Sequence, residues 1–223
     1  MSKIDMVVFD MAGTTIDEDN VVYKTVHRTI LEAGYGDITL DEVLLHGAGK
    51  EKHQAIKDVI WSKGITDADT ESIFINFKVS LDAAYDALVV KTFNGMTRLI
   101  SALREKKIKI ALDTGYNSRI ANLLLKKLGW EKGVQYDTLV TADDVVNGRP
   151  NPDMIELAMH QLGVEDASRV LKAGDSAIDI EEGKNAGCGI TVGVTTGAQN
   201  RGQLEEAEPT LILDSLVEIL DYI

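Results

Sequence analysis

Four short runs of Val, Ile, Leu and Ala, each closing on a polar or glycine-rich turn, constrain this chain more than any other feature. They are MVVFD from Met6, IKIALDTG from Ile108, RVLKAGDS from Arg169 and ITVGVTTG from Ile190. Runs this apolar suit strands of a parallel sheet covered on both faces. Helical periods lie between them. In SRIANLLLKKLGW, Ile120, Leu124 and Leu128 share a face and Gly129 supplies a C-terminal stop. In NPDMIELAMHQLG, Asn151 reads as the N-cap, Pro152 as the first helical residue and Gly163 as the end. Strand alternating with helix predicts an α/β fold on a doubly wound parallel sheet, Rossmann-like in layout.

Residues 17–92 break that rhythm. VVYKTVHRTILEAGY, EKHQAIKDVIWSKG and ESIFINFKVSLDAAYDAL are amphipathic helical stretches with no strand signal between them. The expected organisation is therefore a core of residues 1–16 and 93–223, with a helical lid, 17–92, inserted after the first strand. Open α/β sheets bind ligands at the carboxyl ends of their strands, so an insertion at this point is placed to act as a cap over the site.

Composition narrows the partners. The 223 residues carry 36 acids against 23 bases, a net charge of −13, which opposes binding to nucleic acid or to an anionic membrane and leaves small molecules as substrates. Cys188 is the only cysteine, so no disulfide can form within the chain. The N-terminal residues lack the charged-then-apolar layout of a secretory signal, and no apolar run approaches the roughly 20 residues that span a bilayer. A cytoplasmic location is the expectation.

The strand ends carry the chemistry. Asp10 closes the first run, Thr114 and Gly115 the second, Arg149 precedes a helix in NGRPNPD, and Asp175 and Asp179 follow the third run in AGDSAIDIEEG. This set, in this order, resembles the haloacid dehalogenase superfamily of phosphotransferases over nearly all of the core. The resemblance implies that Asp10 is the nucleophile attacking phosphorus, that Thr114 and nearby backbone N–H groups, Gly115 among them, hold phosphoryl oxygens, and that Arg149 neutralises charge on both. It implies Mg²⁺ on Asp10, Asp175 and the Ala12 carbonyl, with Asp179 a ligand through water or an anchor for one. The physical logic agrees: a carboxylate attacking an anionic phosphoryl group needs that repulsion cancelled by a cation and a hard metal ion.

One position departs from the superfamily's usual pattern. Its phosphatases carry a second Asp two residues after the nucleophile, to protonate the leaving alkoxide; here that position is Ala12. The Asp10-Met11-Ala12-Gly13-Thr14 variant resembles the phosphonoacetaldehyde hydrolases, or phosphonatases, whose leaving group is a carbanion stabilised through an imine on a lid lysine. That family's G-x-x-K-x-x-H pattern falls on Gly47, Lys50 and His53. It implies an imine on Lys50 and proton shuttling by His53, the two sharing a helix face while Lys52 points elsewhere. A partly neutral Lys50, favoured by burial or a neighbouring cation, is expected.

TGY at Thr114 and GRP at Gly148 match the same family. Met four residues before its lysine is replaced by His46, the loop DEDNVVY after the first motif differs, and the lid is compact; these changes fall where the organic part of a substrate would lie. The leading expectation is Mg²⁺-dependent hydrolysis of the C–P bond of phosphonoacetaldehyde or a related phosphonate. The alternatives are a phosphate monoester phosphatase acting on a small metabolite and a non-catalytic binding protein on the same scaffold. Apolar residues in VVYKTVHRTIL suit either a homodimer through the cap or packing within it.

Overall fold

The computed structural model describes residues 3–48, 50 and 52–223. Contacts divide them into two compact units, residues 3–17 with Val90–Ile223, and Glu18–Val89.

The strands in chain order are β1 (Met6–Asp10), β2 (Ile16–Asp17), β3 (Lys91–Thr92), β4 (Lys109–Thr114), β5 (Thr138–Thr141), β6 (Val170–Gly174), β7 (Ile190–Val194) and β8 (Leu211–Leu213). Six of them form one sheet in the order β5-β4-β1-β6-β7-β8, with every neighbouring pair parallel. Both faces of its centre are covered: Met6 and Val8 on one side and Val7 and Phe9 on the other are all buried. This is the expected doubly wound sheet. The chain leaves β1, builds outward through β4 and β5, then returns to the far side of β1 with β6. The topological switch therefore lies at β1 and β6, beside Asp10 and Asp175.

The helices of the insertion are α1 (Val21–Glu32), α2 (Leu40–Gly47), α3 (Lys52–Ser62) and α4 (Thr70–Ala87). Those of the core are α5 (Met96–Glu105), α6 (Ser118–Leu128), α7 (Asp153–Leu162), α8 (Ala177–Asn185) and α9 (Arg201–Glu206). α7 buries Met154, Ile155, Ala158 and Met159 against Met6, Val8, Ala111 and Val140 of the sheet. Gly129 and Gly163 end α6 and α7 in the left-handed conformation, φ 66° and 63°, as the sequence predicts. The start of α7 is one residue later than expected: Pro152 is its N-cap, and Asn151 instead donates from Nδ2 to the Gly148 carbonyl at 2.8 Å.

The expected unit boundaries shift by a few residues. β2 pairs antiparallel with β3, Ile16 opposite Thr92 and Asp17 opposite Lys91, and this two-stranded ribbon takes Asp17 and residues 90–92 into the core unit. In the insertion, α1 buries Val22, Val26 and Ile30, α3 buries Ala55, Ile56, Val59 and Ile60, and α4 buries Ile73, Phe77 and Tyr85, each at helical spacing. α2 was not anticipated. Thr39 caps it by accepting from the Glu42 N–H, and Glu42 accepts in return from the Thr39 N–H at 2.8 Å. Gly47 lets α2 approach α3, since a Cβ there would stand 3.2 Å from that of Ala55. Among the described residues no helix is long and apolar enough to cross a membrane.

Candidate active site

β1 delivers Asp10 to the carboxyl edge of the sheet, and the chain turns back at once. The Met11 carbonyl accepts from the N–H groups of Thr15 and Ile16, the Gly13 N–H donates to Ile16 at 2.9 Å, and Thr15 Oγ1 donates to the Asp10 carbonyl at 3.0 Å. Gly13 is left-handed, φ 77°, and a Cβ there would lie 2.3 Å from Asp175 Oδ2. Gly197 crowds the same oxygen, with a Cβ at 1.9 Å. Two glycines thus hold backbone against Asp175, whose Oδ2 accepts from the Ala198 N–H at 2.5 Å. Thr114 ends β4 with its Oγ1 accepting from the Tyr116 N–H at 3.1 Å, and Gly115 beside it is exposed.

Arg149 is the hub. Nη1 reaches Asp10 Oδ1 at 2.7 Å and Asp179 Oδ1 at 2.8 Å, Nη2 reaches Asp113 Oδ1 at 2.7 Å, and Nε reaches Glu182 Oε2 at 3.0 Å. Lys172, wholly buried on β6, reaches Asp113 Oδ1 at 2.5 Å, Glu182 Oε2 at 3.0 Å and Asp179 Oδ1 at 3.3 Å. Burial raises the Asp10 carboxyl, Arg149 draws it back, and Asp179 and Asp175 raise it again, leaving it near 8. Asp175 is raised by burial and by Asp179. Burial would also raise Asp113, but the charges of Arg149 and Lys172 overcome it and bring that carboxyl to about 2. Glu182 is raised by burial and by the charge of Asp113, helped by a hydrogen bond to Asp113 that only the protonated form can donate.

Strand ends of this kind fix the fold family once the sequence is compared with others. The chain matches the family described as haloacid dehalogenase-like hydrolase over residues 7–194. It belongs to that family. A phosphonoacetaldehyde hydrolase from Bacillus cereus is 34% identical over 215 residues, covering 92% of this chain and 80% of that one. Among solved structures, a phosphonoacetaldehyde hydrolase-like protein from Oleispira antarctica superposes with a TM-score of 0.78 at 22% identity, covering 99% of this chain and 91% of the other. A predicted phosphoglycolate phosphatase from Haemophilus somnus does so with 0.82 at 18% identity, covering 100% and 99%. These two likenesses are of fold.

Hydrolases of the haloacid dehalogenase family generally use Mg²⁺, and the donors here fit it. Among the described residues, Asp10, Asp113, Asp179 and Glu182 are paired with Arg149 or Lys172, and Asp175 is buried beside them without an ion pair of its own, so the carboxylates outnumber the cations. A divalent ion would reduce that deficit. Among the described residues no three His, Cys, Asp or Glu side chains form a ready cage, and Mg²⁺ asks for none: it takes one or two carboxylates and keeps several waters. Asp10, Asp175 and Glu182 are all held high, and a cation beside Asp10 and Asp175 would relieve those two. Asp179 Oδ2 accepts from Ser176 Oγ at 2.6 Å, and its Oδ1 lies 2.8 Å from Arg149 Nη1.

In the insertion unit of this hydrolase, α3 begins at Lys52, so Lys50 precedes the helix instead of sharing a face of it with His53. Lys50 is about half exposed, 45%, and its ammonium donates to Asp58, which it holds below the usual carboxylate range. That neighbour is a carboxylate, which favours the ammonium over the neutral amine. His53 stacks on Phe74 with ring centroids 4.9 Å apart, and its Nε2 lies 3.4 Å from Thr70 Oγ1 and 3.6 Å from Glu71 Oε2. In the core, sequence reasoning missed Asp113, Lys172 and Glu182. A lysine inside a strand buried on both faces was the available signal, because such a charge needs acid partners.

Proposed function

We propose that this hydrolase cleaves the C–P bond of phosphonoacetaldehyde or a closely related phosphonate. The observation that carries the reading is Ala12, a methyl group at the acid's usual position, in a chain 34% identical to a phosphonoacetaldehyde hydrolase. Without an acid, an alkoxide would leave unprotonated, forfeiting about 10²- to 10⁴-fold. A carbanion leaving into an imine needs no such acid.

In this scheme Lys50 Nζ condenses with the substrate aldehyde, losing water. Asp10 then attacks phosphorus, the C–P bond breaks, and its electron pair passes into the iminium to give an enamine. Protonation and hydrolysis of the enamine release acetaldehyde and free Lys50, while water cleaves the aspartyl-phosphate to phosphate. His53 would carry protons between these steps. Thr114, Gly115 N–H and Arg149 bind the phosphoryl oxygens, the Arg fork through parallel charge-assisted hydrogen bonds. Bound Mg²⁺, held by Asp10, Asp175 and the Ala12 carbonyl, would neutralise phosphoryl charge and favour ionised Asp10.

Lys50 must leave Asp58 for its lone pair to attack. That pairing is the observation favouring the second reading, a phosphate monoester phosphatase on a small metabolite. Phosphate and aldehyde release from phosphonoacetaldehyde, measured beside a panel of phosphate monoesters, separates the two. Borohydride added with the phosphonate is expected to fix the carbon skeleton on Lys50, and Lys50→Arg to lose both label and C–P cleavage. Parental phosphate release by Lys50→Arg with no adduct in the parent would establish the monoesterase instead.

A further inference from the structure

Lys172 stands opposite Val8 in the β1–β6 register, and Asp10 stands opposite Asp113 between β1 and β4. Side chains two residues apart along a strand point the same way, so Lys172 lies one pleat below Asp10 and Asp113 on their face of the sheet. Its stem carries Nζ up to Asp113, Glu182 and Asp179. The three oxygens it meets, Asp113 Oδ1, Glu182 Oε2 and Asp179 Oδ1, are those that Arg149 also meets. α8 is brought close enough by Gly183, where a Cβ would lie 2.9 Å from Lys172 Cβ and 2.8 Å from Thr191 Cγ2. Each oxygen is thus shared between a compact ammonium behind and a planar fork in front, and the fork continues to Asp10.

We propose that Lys172 is a positioning residue for Arg149 in phosphoryl binding. It keeps the three acids neutralised when Arg149 turns hydrogen bonds toward an arriving phosphoryl group. Without it the acids would have Arg149 as their shared counter-charge, and an incoming dianion would have to compete with them for the guanidinium. The proposal rests on the reading of Arg149 as the phosphoryl-binding cation, and holds equally for a phosphonate or a phosphate ester.

The test is calorimetric titration of inorganic phosphate, with Mg²⁺ present, into the full chain and its variants. Arg149→Ala tests the underlying reading and is expected to abolish binding; parental affinity there would overturn that reading and this proposal with it. Lys172→Met, shown folded by circular dichroism, is expected to weaken phosphate binding about tenfold or more. Lys172→Met/Glu182→Gln removes one acid along with its cation and is expected to regain most of that loss, which a lysine needed only for packing would not allow. If Lys172→Met does not fold, the double variant carries the test and is expected to fold and bind phosphate. Undiminished phosphate affinity in folded Lys172→Met, or a double variant that is unfolded or binds no better than the single one, overturns the proposal.

Discussion

Asp10, the last residue of β1, and Asp113, the last but one of β4, are register partners, two carboxylates side by side, and the positive charges of Arg149 and Lys172 make that placement tolerable. Asp10→Asn is expected to cut turnover about 10³-fold or more with the fold intact, because an amide is a poor nucleophile; phosphate release and circular dichroism on the same preparation check it. Gly197→Ala would drive a methyl into Asp175 Oδ2, 1.9 Å away by ideal geometry. A loss of about 1–3 kcal/mol in urea unfolding is expected, together with weakened Mg²⁺ dependence. A variant as stable and active as its parent would show that the crowding is easily relieved. At this scale the positions of Asp10, Thr114, Asp175 and Asp179 can be read where apolar runs break into turns, and that of Arg149 from the loop before a helix, while their roles belong to the proposed reaction. Asp113 and Lys172 escape such a reading, since each interrupts an apolar run and only its long-range partners explain its presence.

Among the elements, α6 and α7 were readable from spacing and from glycine stops, whereas α2 lay unread between two stronger helical signals. Its cue was local: Thr39 followed three residues later by Glu42 is a capping box, present with both hydrogen bonds. Thr39→Ala is expected to cost about 1 kcal/mol of stability, read as a lower midpoint in thermal or urea unfolding. A midpoint unchanged within error would mean that α2 contributes nothing to the cooperative unit. β5 and β8, four and three residues long, carry too short a pattern to separate from loop.

For the whole molecule, the division at Glu18 and Val89 gives the insertion its own buried residues, Val26, Ile30, Ile56, Ile60 and Phe77 among them. Residues 18–89 expressed alone are expected to melt cooperatively by far-ultraviolet circular dichroism; a featureless, non-cooperative signal would refute their autonomy. Asp10, Asp175 and Glu182 are all raised in the folded chain, so without metal it retains protons that the unfolded chain has released. Stability of the metal-free protein should therefore fall as pH rises from about 4 toward 8. Mg²⁺ should restore it, with a midpoint shift that grows across that window and is lost in Asp175→Asn. A shift independent of pH would separate the metal from these carboxyls.

The doubly wound sheet, the order of its strand-end motifs, the helical nature of the insertion and the missing acid at Ala12 can all be read from the residues alone. These are local: an apolar run of a few residues, a glycine where φ turns positive, or a methyl where a carboxyl is needed can each be read without knowing any distant partner. Folding is what sets Asp10 opposite Asp113 and makes Arg149 and Lys172 share three oxygens. Those choices depend on sheet register, helix approach and the reach of long side chains, quantities set by packing between segments far apart in the chain.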